Sequence, residues 1–220
     1  MLYIVATPIG NLSDITLRAL ETLKKADLVL CEDTRITSKL LFKYKIETPL
    51  DSYHHKSSEN KVRKIIEKIK EGKTVAMVCD GGTPGISDPA GKLVERALKE
   101  VPRAKITPIP GPCAAITAAS ICGFPMEKFV FMGFPPQKKK RKKFFEKLLS
   151  SDFPVIFYES PHRILKTMEE ISEMEEREVF ILREATKLYE KTYRGSIKGV
   201  LKEIKKERIR GEFTVILKNG

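Results

Sequence analysis

The chain has 220 residues, of which 41% are hydrophobic and 32% are charged, and its formal net charge is +12. This length predicts one large or two modest domains with real cores, and no apolar run is long enough to span a membrane. Both halves are basic, which favours a polyanionic partner, RNA or DNA, over the alternative of a solubilising surface of the kind found in thermophile proteins.

The N-terminal stretch MLYIVATPIG has no basic segment ahead of its apolar residues. It is therefore predicted to be a first strand and not a signal peptide, and the protein is expected in the cytoplasm. The four cysteines show no C-x-x-C spacing, and no histidine is placed to complete a metal site. These patterns predict reduced, buried thiols and no bound metal.

Strands and helices alternate along the first half. Apolar runs predict strands, and apolar residues at helical spacing predict helices. The predicted strands are 2–7, 27–33, a short one near Leu50, 74–80 and 105–111, and the predicted helices are 15–26, 36–45, one capped by Ser57 or Ser58, and 89–100. The continuous apolar run TVAMVCD is typical of a strand buried on both faces, so the sheet is expected to be mostly parallel.

A small-residue helix within 108–125 separates the two halves, and we place the domain boundary there, giving 1–111 and 112–220. The second half alternates again, and its strands are candidates for a mixed or antiparallel sheet. Predicted strands are 128–134, 154–160, 178–186 and 211–218, and predicted helices are a basic one after KKKRKK (138–143), 162–174 and 196–207. The fold class is α/β in both domains.

The stretch DGGTPGISDPAGK (80–92) follows a predicted strand. It fits neither the Walker spacing nor the G-x-G-x-x-G fingerprint. Gly81, Gly82 and Gly85 can take positive φ and leave the backbone bare, and Asp88 followed by Pro89 is typical of an N-cap and first helical residue. The loop is thus predicted to offer backbone groups to a flat polar ligand that is not a phosphate, the alternative being a tight connection without a ligand.

Seven short motifs fall at predicted strand ends: VATPIGNLSDITLRA (5–19), CEDTR (31–35), DGGTPGISDPAG (80–91), PGPCAA (110–115), YESPHR (158–163), REATK (183–187) and GEFTVIL (211–217). As an ordered set they closely resemble the ribosomal RNA small subunit methyltransferase I family, over nearly the whole chain. That family lies within the tetrapyrrole-methylase fold, whose members are class III S-adenosylmethionine-dependent methyltransferases. Departures are small: Cys113 stands where Ser is frequent, and Ala185 where Leu is frequent.

The resemblance implies two α/β domains with S-adenosylmethionine in the cleft between them. It implies methylation of a ribose 2′-oxygen of a cytidine in the decoding region of 16S rRNA, with 16S rRNA or the 30S subunit as partner and a homodimer as the active unit. The implied cofactor contacts are Pro8, Ile9, Gly10, Gly82, Thr83, Pro84, Gly85, Ile86, Ser87, Cys113, Ala114 and Ala115, with Tyr158 and Ala185 on the adenine side. For Ala114 and Ala115, simple helix packing is the alternative.

A ribose hydroxyl is a poor nucleophile, so a base or hydrogen-bond acceptor should assist the transfer. The candidates are Glu32 and Asp33 in CEDTR, Glu159 and His162 in YESPHR, and Glu184 in REATK. We favour Glu159, His162 and Glu184, with Asp33 retained although a structural pairing with Arg35 is equally expected. The sequence does not separate a base from a positioning residue.

Basic side chains supply the predicted RNA contacts: Arg35, Lys138, Lys139, Lys140, Arg141, Lys142, Lys143 and Arg163. The run 138–143 is expected to face solvent at the start of a helix anchored by Phe144, Phe145, Leu148 and Leu149. Arginine can hold phosphate bidentately, and intramolecular ion pairing is the alternative. Two other functions stay open: a methyltransferase of the same fold acting on a tetrapyrrole or on diphthamide, and a non-catalytic RNA-binding protein.

Overall fold

The computed structural model describes every residue from Met1 to Gly220 and divides into two compact units, Met1–Cys113 and Ala114–Gly220. The sequence placed this division after residue 111. No helix in either unit combines the length and the apolar composition needed to cross a bilayer.

The first unit is a five-stranded parallel sheet with helices on both faces. Its elements are β1 (Leu2–Val5), α1 (Leu17–Lys25), β2 (Leu28–Cys31), α2 (Thr34–Lys43), β3 (Leu50–Ser52), α3 (Glu59–Lys70), β4 (Val75–Met77), α4 (Ala90–Glu100) and β5 (Ile106–Ile109). The strand order is β3-β2-β4-β1-β5, and every strand pairing is parallel, where the sequence predicted a mostly parallel sheet. Helix α3 is capped by Ser58, whose hydroxyl accepts from the Lys61 N–H at 3.3 Å.

The helices of this unit divide between the two faces of the sheet. Buried residues of α1 and α2, such as Leu23 and Leu41, pack with Val29 on one face. Buried residues of α3 and α4, such as Ile66 and Leu93, pack with Leu30 on the other. The connections that follow the neighbouring strands β1 and β4 therefore leave toward opposite faces, and so do those after β2 and β4. Such switch points open crevices at the carboxyl ends of parallel strands, where α/β proteins bind ligands.

The second unit is a mixed five-stranded sheet. Its elements are α5 (Ala114–Ala119), β6 (Val130–Phe131), α6 (Arg141–Leu149), β7 (Val155–Glu159), α7 (Ile164–Met174), β8 (Glu178–Arg183), β9 (Lys191–Ser196), α8 (Ile197–Ile204) and β10 (Phe213–Leu217). The order is β6-β7-β10-β8-β9, with β6 and β7 parallel and the other pairs antiparallel. One core lies under α6, α7 and α8, and α5 contacts β10 and β7.

Three predictions about elements need correction. Strand β9, KTYRGS, was not predicted, because its mostly exposed edge position carries polar residues in place of an apolar run. The small-residue helix is only Ala114–Ala119, since glycines and prolines flank it within 108–125. Helix α4 begins at Ala90, one residue later than predicted, although the Asp88 carboxylate does accept from the Ala90 N–H at 2.8 Å.

Candidate functional site

Three loops of the first unit are joined at the carboxyl edge of its sheet. Thr7 and Gly82 exchange two backbone hydrogen bonds, with N···O distances of 2.9 and 3.0 Å. The Thr83 hydroxyl donates to the Pro112 carbonyl at 3.1 Å. These bonds bring together the segments after β1, β4 and β5, which hold the predicted cofactor residues Pro8–Gly10, Gly82–Ser87 and Cys113.

Of the three glycines of the loop that can take positive φ, Gly82 and Gly85 do so and Gly81 does not. Gly82 and Gly85 have φ of +91° and +94°, and Ser87 also lies in the left-handed region at +68°. The Asp88 carboxylate closes the turn by accepting from the Gly85 N–H at 2.8 and 2.9 Å. A non-glycine residue at positive φ is sparsely populated and is held by its surroundings, a feature concentrated at binding sites.

The packing around these glycines tests whether the loop fits a polar ligand. A Cβ added at Gly82 would meet the Ile9 side chain at 3.4 Å, and one added at Gly81 would meet the Pro8 carbonyl oxygen at 3.2 Å. By contrast, nothing lies within 4 Å of a Cβ added at Gly85. The two loops are thus closely packed at their base and open at Gly85, where the backbone faces free space beside Ile86, which is 45% exposed. This arrangement fits a zwitterionic ligand bound through backbone groups.

Three carboxylates meet at the same edge. Glu32 follows β2, and the Asp80 side chain, which follows β4, accepts from the Asp33 N–H at 3.0 Å. Burial and the negative charges of Asp80 and Asp88 raise the pKa of Glu32 to about 7. A carboxylate with a pKa near neutrality can exchange a proton at physiological pH, as catalytic carboxylates do. The sequence offered Glu32 as a candidate but did not favour it, because Asp80 and Asp88 are remote in the chain.

Asp33 has a structural partner at this edge. Its carboxylate caps α2 by accepting from the Arg35 N–H at 2.8 Å, and it pairs with the Arg35 guanidinium at 2.6 Å. The hydrogen bonds from Arg35 lower the pKa of Asp33 to about 2. A carboxylate of such low basicity is a weak proton acceptor, which weighs against Asp33 as the catalytic base. The predicted RNA contact Arg35 is exposed, but its guanidinium is already paired with Asp33.

Tyr158 organises the predicted cofactor residues of the second unit. Its hydroxyl accepts from the Ala115 N–H at 3.2 Å at the start of α5. Its ring packs against Phe131 and Phe134, with centroid separations of 5.0 and 5.5 Å. The structure therefore joins Tyr158 to Ala115, which follows Ala114 at the start of α5, while Ala185 lies two residues after the end of β8.

Glu159 is sealed inside the second unit. It is 1% exposed, and one oxygen accepts from Thr167 at 2.6 Å while the other accepts from the Ser160 N–H at 2.8 Å and the Arg163 guanidinium at 2.7 Å. Arg163 also donates to the Pro135 carbonyl. Both members of this pair are thus occupied by structural contacts, whereas His162, between them in sequence, is exposed.

Glu184 begins a strained turn after β8. Its φ is +53°, and that of Thr186 is +64°. Its carboxylate accepts from Lys187 at 2.7 Å and from the Glu212 N–H at 3.1 Å. Burial alone raises the pKa of Glu184, but these donors hold it below its ordinary value. Glu184 is thus a paired carboxylate, less basic than Glu32.

The basic run divides into exposed and buried residues. Lys138, Lys139, Lys140, Lys142 and Lys143 are exposed, as predicted. The prediction is wrong for Arg141, which is 8% exposed. Its guanidinium donates to Glu170, to the Thr167 hydroxyl at 2.7 Å and to the Pro136 carbonyl at 2.9 Å. It projects inward because it is the first residue of α6, on the face that carries Phe145 into the core.

A groove of about 400 Å³ lies beside the carboxyl end of β3. Its lining includes His54, His55, Lys92 and Lys99, together with Pro89 from the end of the glycine-rich segment. The sequence interpretation gave the two histidines no role. They follow β3, which is parallel to the other strands, so they lie at the same edge of the sheet as the loops described above.

Known proteins share both the sequence and the fold. The family model described as Tetrapyrrole (Corrin/Porphyrin) Methylases matches residues 1–201. The chain is 45% identical over 217 residues to "Ribosomal RNA small subunit methyltransferase I" of Thermotoga maritima, covering 98% of this chain and 97% of that protein. It is 47% identical over 221 residues to the protein of the same name from Hydrogenobaculum sp., covering 98% and 94% of the two chains.

Solved structures with lower sequence identity have the same fold. Diphthine synthase superposes with a TM-score of 0.77 at 14% identity, covering 99% of this chain and 89% of that one. A cobalamin biosynthetic enzyme, cobalt precorrin-4 methyltransferase, superposes with a TM-score of 0.70 at 22% identity, covering 99% and 94%. At these identities the likeness establishes the architecture alone.

Proposed function

Because the chain belongs to the tetrapyrrole methylase family, and within it to the ribosomal RNA small subunit methyltransferase I family, we propose that it methylates a cytidine of 16S rRNA at the ribose 2′-oxygen. The coarser activity, S-adenosylmethionine-dependent methylation of ribosomal RNA, follows from that membership. The finer proposal specifies a cytidine as the nucleotide, its ribose 2′-oxygen as the methylated atom and the decoding region as the location in 16S rRNA. The sequence motifs imply these three details by resemblance.

The observation that best supports this proposal is the closure of three loops at a switch point of the first sheet. The segments after β1, β4 and β5 are hydrogen-bonded there through Thr7, Gly82, Thr83 and Pro112, and backbone is left bare at Gly85. Many α/β proteins bind small polar ligands at this position in the sheet. The alternative substrates, a tetrapyrrole or diphthamide, are supported only by the shared fold.

We propose that the cofactor is held by the residues that the motifs single out in these loops: Pro8, Ile9, Gly10, Gly82, Thr83, Pro84, Gly85, Ile86, Ser87 and Cys113. When bound, S-adenosylmethionine supplies a methyl group on a positively charged sulfur, so the protein has mainly to align the acceptor and exclude water. In the second unit, the Ala115 N–H donates to the Tyr158 hydroxyl, and we propose Ala114 and Ala115 as cofactor contacts with Tyr158 and Ala185 on the adenine side.

For the proton of the acceptor hydroxyl, the structure favours Glu32 over the carboxylates preferred from sequence. Glu159 has both oxygens occupied in the core, and Glu184 and Asp33 are each paired with a cation. Glu32 has no such cation, and its carboxylic acid and carboxylate forms are both populated near pH 7. We propose that the Glu32 carboxylate takes the proton, and that exposed His162 remains the second candidate.

The test is incubation of the protein with labelled S-adenosylmethionine and 30S subunits lacking the modification, followed by nuclease digestion and nucleotide mapping. Label in one 2′-O-methylcytidine of the decoding region is the expected result. Label on a base, on another RNA or nowhere in 16S rRNA contradicts the proposal. Binding of the cofactor with no transfer to rRNA would favour the non-catalytic RNA-binding alternative.

We also propose that the active unit is a homodimer located in the cytoplasm. The support is the resemblance to a fold in which dimers are usual. Light scattering at assay concentration is expected to give twice the 25.0 kDa mass of one chain. A mass of one chain in an active sample would overturn the dimer.

A further inference from the structure

The loop between β8 and β9, residues 184–190, presents two large apolar side chains to solvent. Leu188 is 88% exposed and Tyr189 is 74% exposed. Adjacent apolar side chains with this exposure bury little in the folded chain, so they add almost nothing to its stability. We call residues 184–190 the tip loop. Its two exposed side chains are available to a partner.

The tip loop is closed by its own hydrogen bonds. The Thr186 N–H donates to the Glu190 carboxylate at 2.5 Å, and the Glu190 N–H donates to the Lys187 carbonyl at 3.0 Å. The Lys187 N–H in turn donates to the Glu184 carbonyl at 3.0 Å. Two residues, Glu184 and Thr186, are held at positive φ. Leu188 and Tyr189 therefore project from a constrained loop, which lowers the entropy cost when they bind a partner.

The base of the tip loop is clamped to the segment that precedes β10. The buried Arg183 guanidinium donates to the carbonyl oxygens of Arg208 and Arg210 at 2.9 and 2.8 Å. It also pairs with Glu207 at 3.2 Å. The Glu184 N–H donates to the Glu212 carbonyl at 2.9 Å. Segment 207–212 and the tip loop are thus one structural block.

This block exposes two arginines that form no ion pair, together with the Glu190 carboxylate, which accepts only from the Thr186 N–H. Lys187 is neutralised by Glu184 and Glu212, and Lys191 by Glu207. The side chains of Arg208 and Arg210 are exposed, because only their main-chain carbonyls serve the clamp. Proteins that bind single-stranded nucleic acid combine exposed aromatic rings, which stack on bases, with unpaired cations, which contact phosphates, and this block carries both.

We propose that the tip loop is an RNA-binding element, in which Tyr189 stacks on an unpaired base of the substrate while Arg208 and Arg210 contact the adjoining phosphates. The charge argues for a polyanion as occupant, since the exposed apolar pair lies on a block with unpaired arginines in a chain of net charge +12. The inference rests on the proposed function for the identity of the RNA. It adds Tyr189, Arg208 and Arg210, three residues that lie outside the seven motifs and outside the basic run 138–143.

The test separates stacking from charge by salt dependence. Binding of the full chain to unmodified 30S subunits is measured by filter retention over a salt titration, for wild type, Tyr189→Ala, Tyr189→Phe and the double variant Arg208→Gln/Arg210→Gln. Tyr189→Ala should bind about tenfold more weakly with an unchanged salt slope, because a stacked base is worth about 1–3 kcal/mol and carries no counterion. Tyr189→Phe should retain binding, and the arginine variant should lower the slope by about 0.7 for each phosphate that it no longer binds.

Phe42→Ala provides the matched control. Phe42 is 88% exposed on α2 of the first unit, so its removal changes the exposed apolar surface equally without touching the block, and unchanged RNA binding is expected. Wild-type affinity of Tyr189→Ala overturns the inference. So does a halved mass of that variant in light scattering, because the tip loop would then be a contact between two copies. If wild type binds RNA but transfers no methyl group, the proposed function fails while the stacking element stands or falls on the Tyr189 result.

Discussion

Glu32 and Glu159 occupy similar positions in sequence and have opposite environments in the structure. Each comes at the end of an apolar strand, within CEDTR or YESPHR, and each is followed within a few residues by a capping or turn residue and an arginine. In the second unit the arginine turns back onto the glutamate, so Arg163 pairs with Glu159. In the first unit the arginine is taken by the intervening aspartate, so Arg35 pairs with Asp33 and leaves Glu32 without a cation.

The consequence is electrostatic. Glu159 is surrounded by donors, whereas burial and the carboxylates of Asp80 and Asp88 hold the pKa of Glu32 at about 7. Glu159 is occupied by contacts inside the second unit, whereas Glu32 is the residue that we propose takes the proton. The two strand-end acids thus differ in their surroundings: Glu159 pairs with Arg163, whereas Glu32 is partly buried near two carboxylates.

Glu159→Gln should have the largest effect, and it should act on stability. The substitution removes the charge that compensates Arg163 and disturbs the bond to the buried Thr167 hydroxyl, at a cost of about 3 kcal/mol in the free energy of unfolding. Urea denaturation monitored by circular dichroism measures the decrease. Glu32→Gln is the matched control, and it should not lower stability. Equal decreases in the two variants would remove the distinction between them.

Glu32→Gln should reduce methyl transfer about 100-fold while leaving cofactor affinity near wild type, because a positioned base contributes at least that much. Since the pKa of Glu32 is raised to about 7, the wild-type rate should rise with pH through that value as the carboxylate forms. The rise should be absent in Glu32→Gln. A pH profile that is the same in both proteins would exclude Glu32 as the base.

The raised pKa of Glu32 also predicts how the stability of the fold should change with pH. The pKa of Glu32 is higher in the folded state than in the unfolded state, because ionisation is disfavoured only in the folded state. The protein should therefore lose stability as the pH increases from the unfolded-state pKa of Glu32 toward about 7. Glu32→Gln removes this penalty. The variant should therefore melt at a higher temperature than wild type at pH 8 and at about the same temperature at pH 4.

Two glycines extend the comparison to the backbone. Gly85 and Gly211 both have positive φ, at +94° and +76°. A Cβ at Gly211 would come within 2.1 Å of the Glu184 carboxyl carbon, whereas a Cβ at Gly85 would meet nothing within 4 Å. Each alanine substitution incurs the left-handed backbone cost of about 1–2 kcal/mol. Gly211→Ala should add a steric cost and lower the melting temperature further.

Gly85→Ala should instead affect the affinity for the cofactor. Its Cβ enters the space that we assign to the cofactor, so calorimetry should show affinity for S-adenosylmethionine reduced about tenfold in a folded protein, and Gly85→Val should abolish binding. Gly91→Ala, in helix α4 with open space around it, is the control and should leave affinity unchanged. Unchanged affinity in both Gly85 variants would place the cofactor elsewhere.

The smallest effect is expected for the lysines around Arg141. Substituting Lys138, Lys139, Lys142 and Lys143 by Gln should weaken binding to 30S subunits several-fold and flatten its salt dependence, because phosphate contacts release counterions. Cofactor affinity and melting temperature should stay the same. Wild-type binding and methylation across the titration would make the run a solvated surface only.

The sequence predicted the strands that are formed by continuous runs of apolar residues. The run TVAMVCD became β4 at the centre of the first sheet, and FTVILK became the central strand β10 of the second. It did not predict β9, since KTYRGS is polar and gains its strand conformation from pairing with β8.

The features of the candidate site also divide into those that follow from local sequence, which were predicted, and those that depend on remote residues, which were not. The glycine conformations at 82 and 85 follow from residue type, and the sequence anticipated both. The basicity of Glu32 and the burial of Arg141 depend on partners that are remote in the chain, Asp80 and Asp88 in one case and Thr167 and Glu170 in the other. No local pattern around either residue carries that information.

The burial of Arg141 affects how a mutational scan of this protein would be interpreted. Thr167 accepts from Arg141 and donates to Glu159, so Glu170, Arg141, Thr167, Glu159 and Arg163 form one continuous chain of polar contacts. In a scan scored by growth or by methylation, Arg141 would stand out from the five lysines of KKKRKK and invite assignment as their principal RNA contact. The score would in fact report protein abundance, because the substituted chain loses its internal polar network. Only a parallel measurement of soluble protein would separate the two causes.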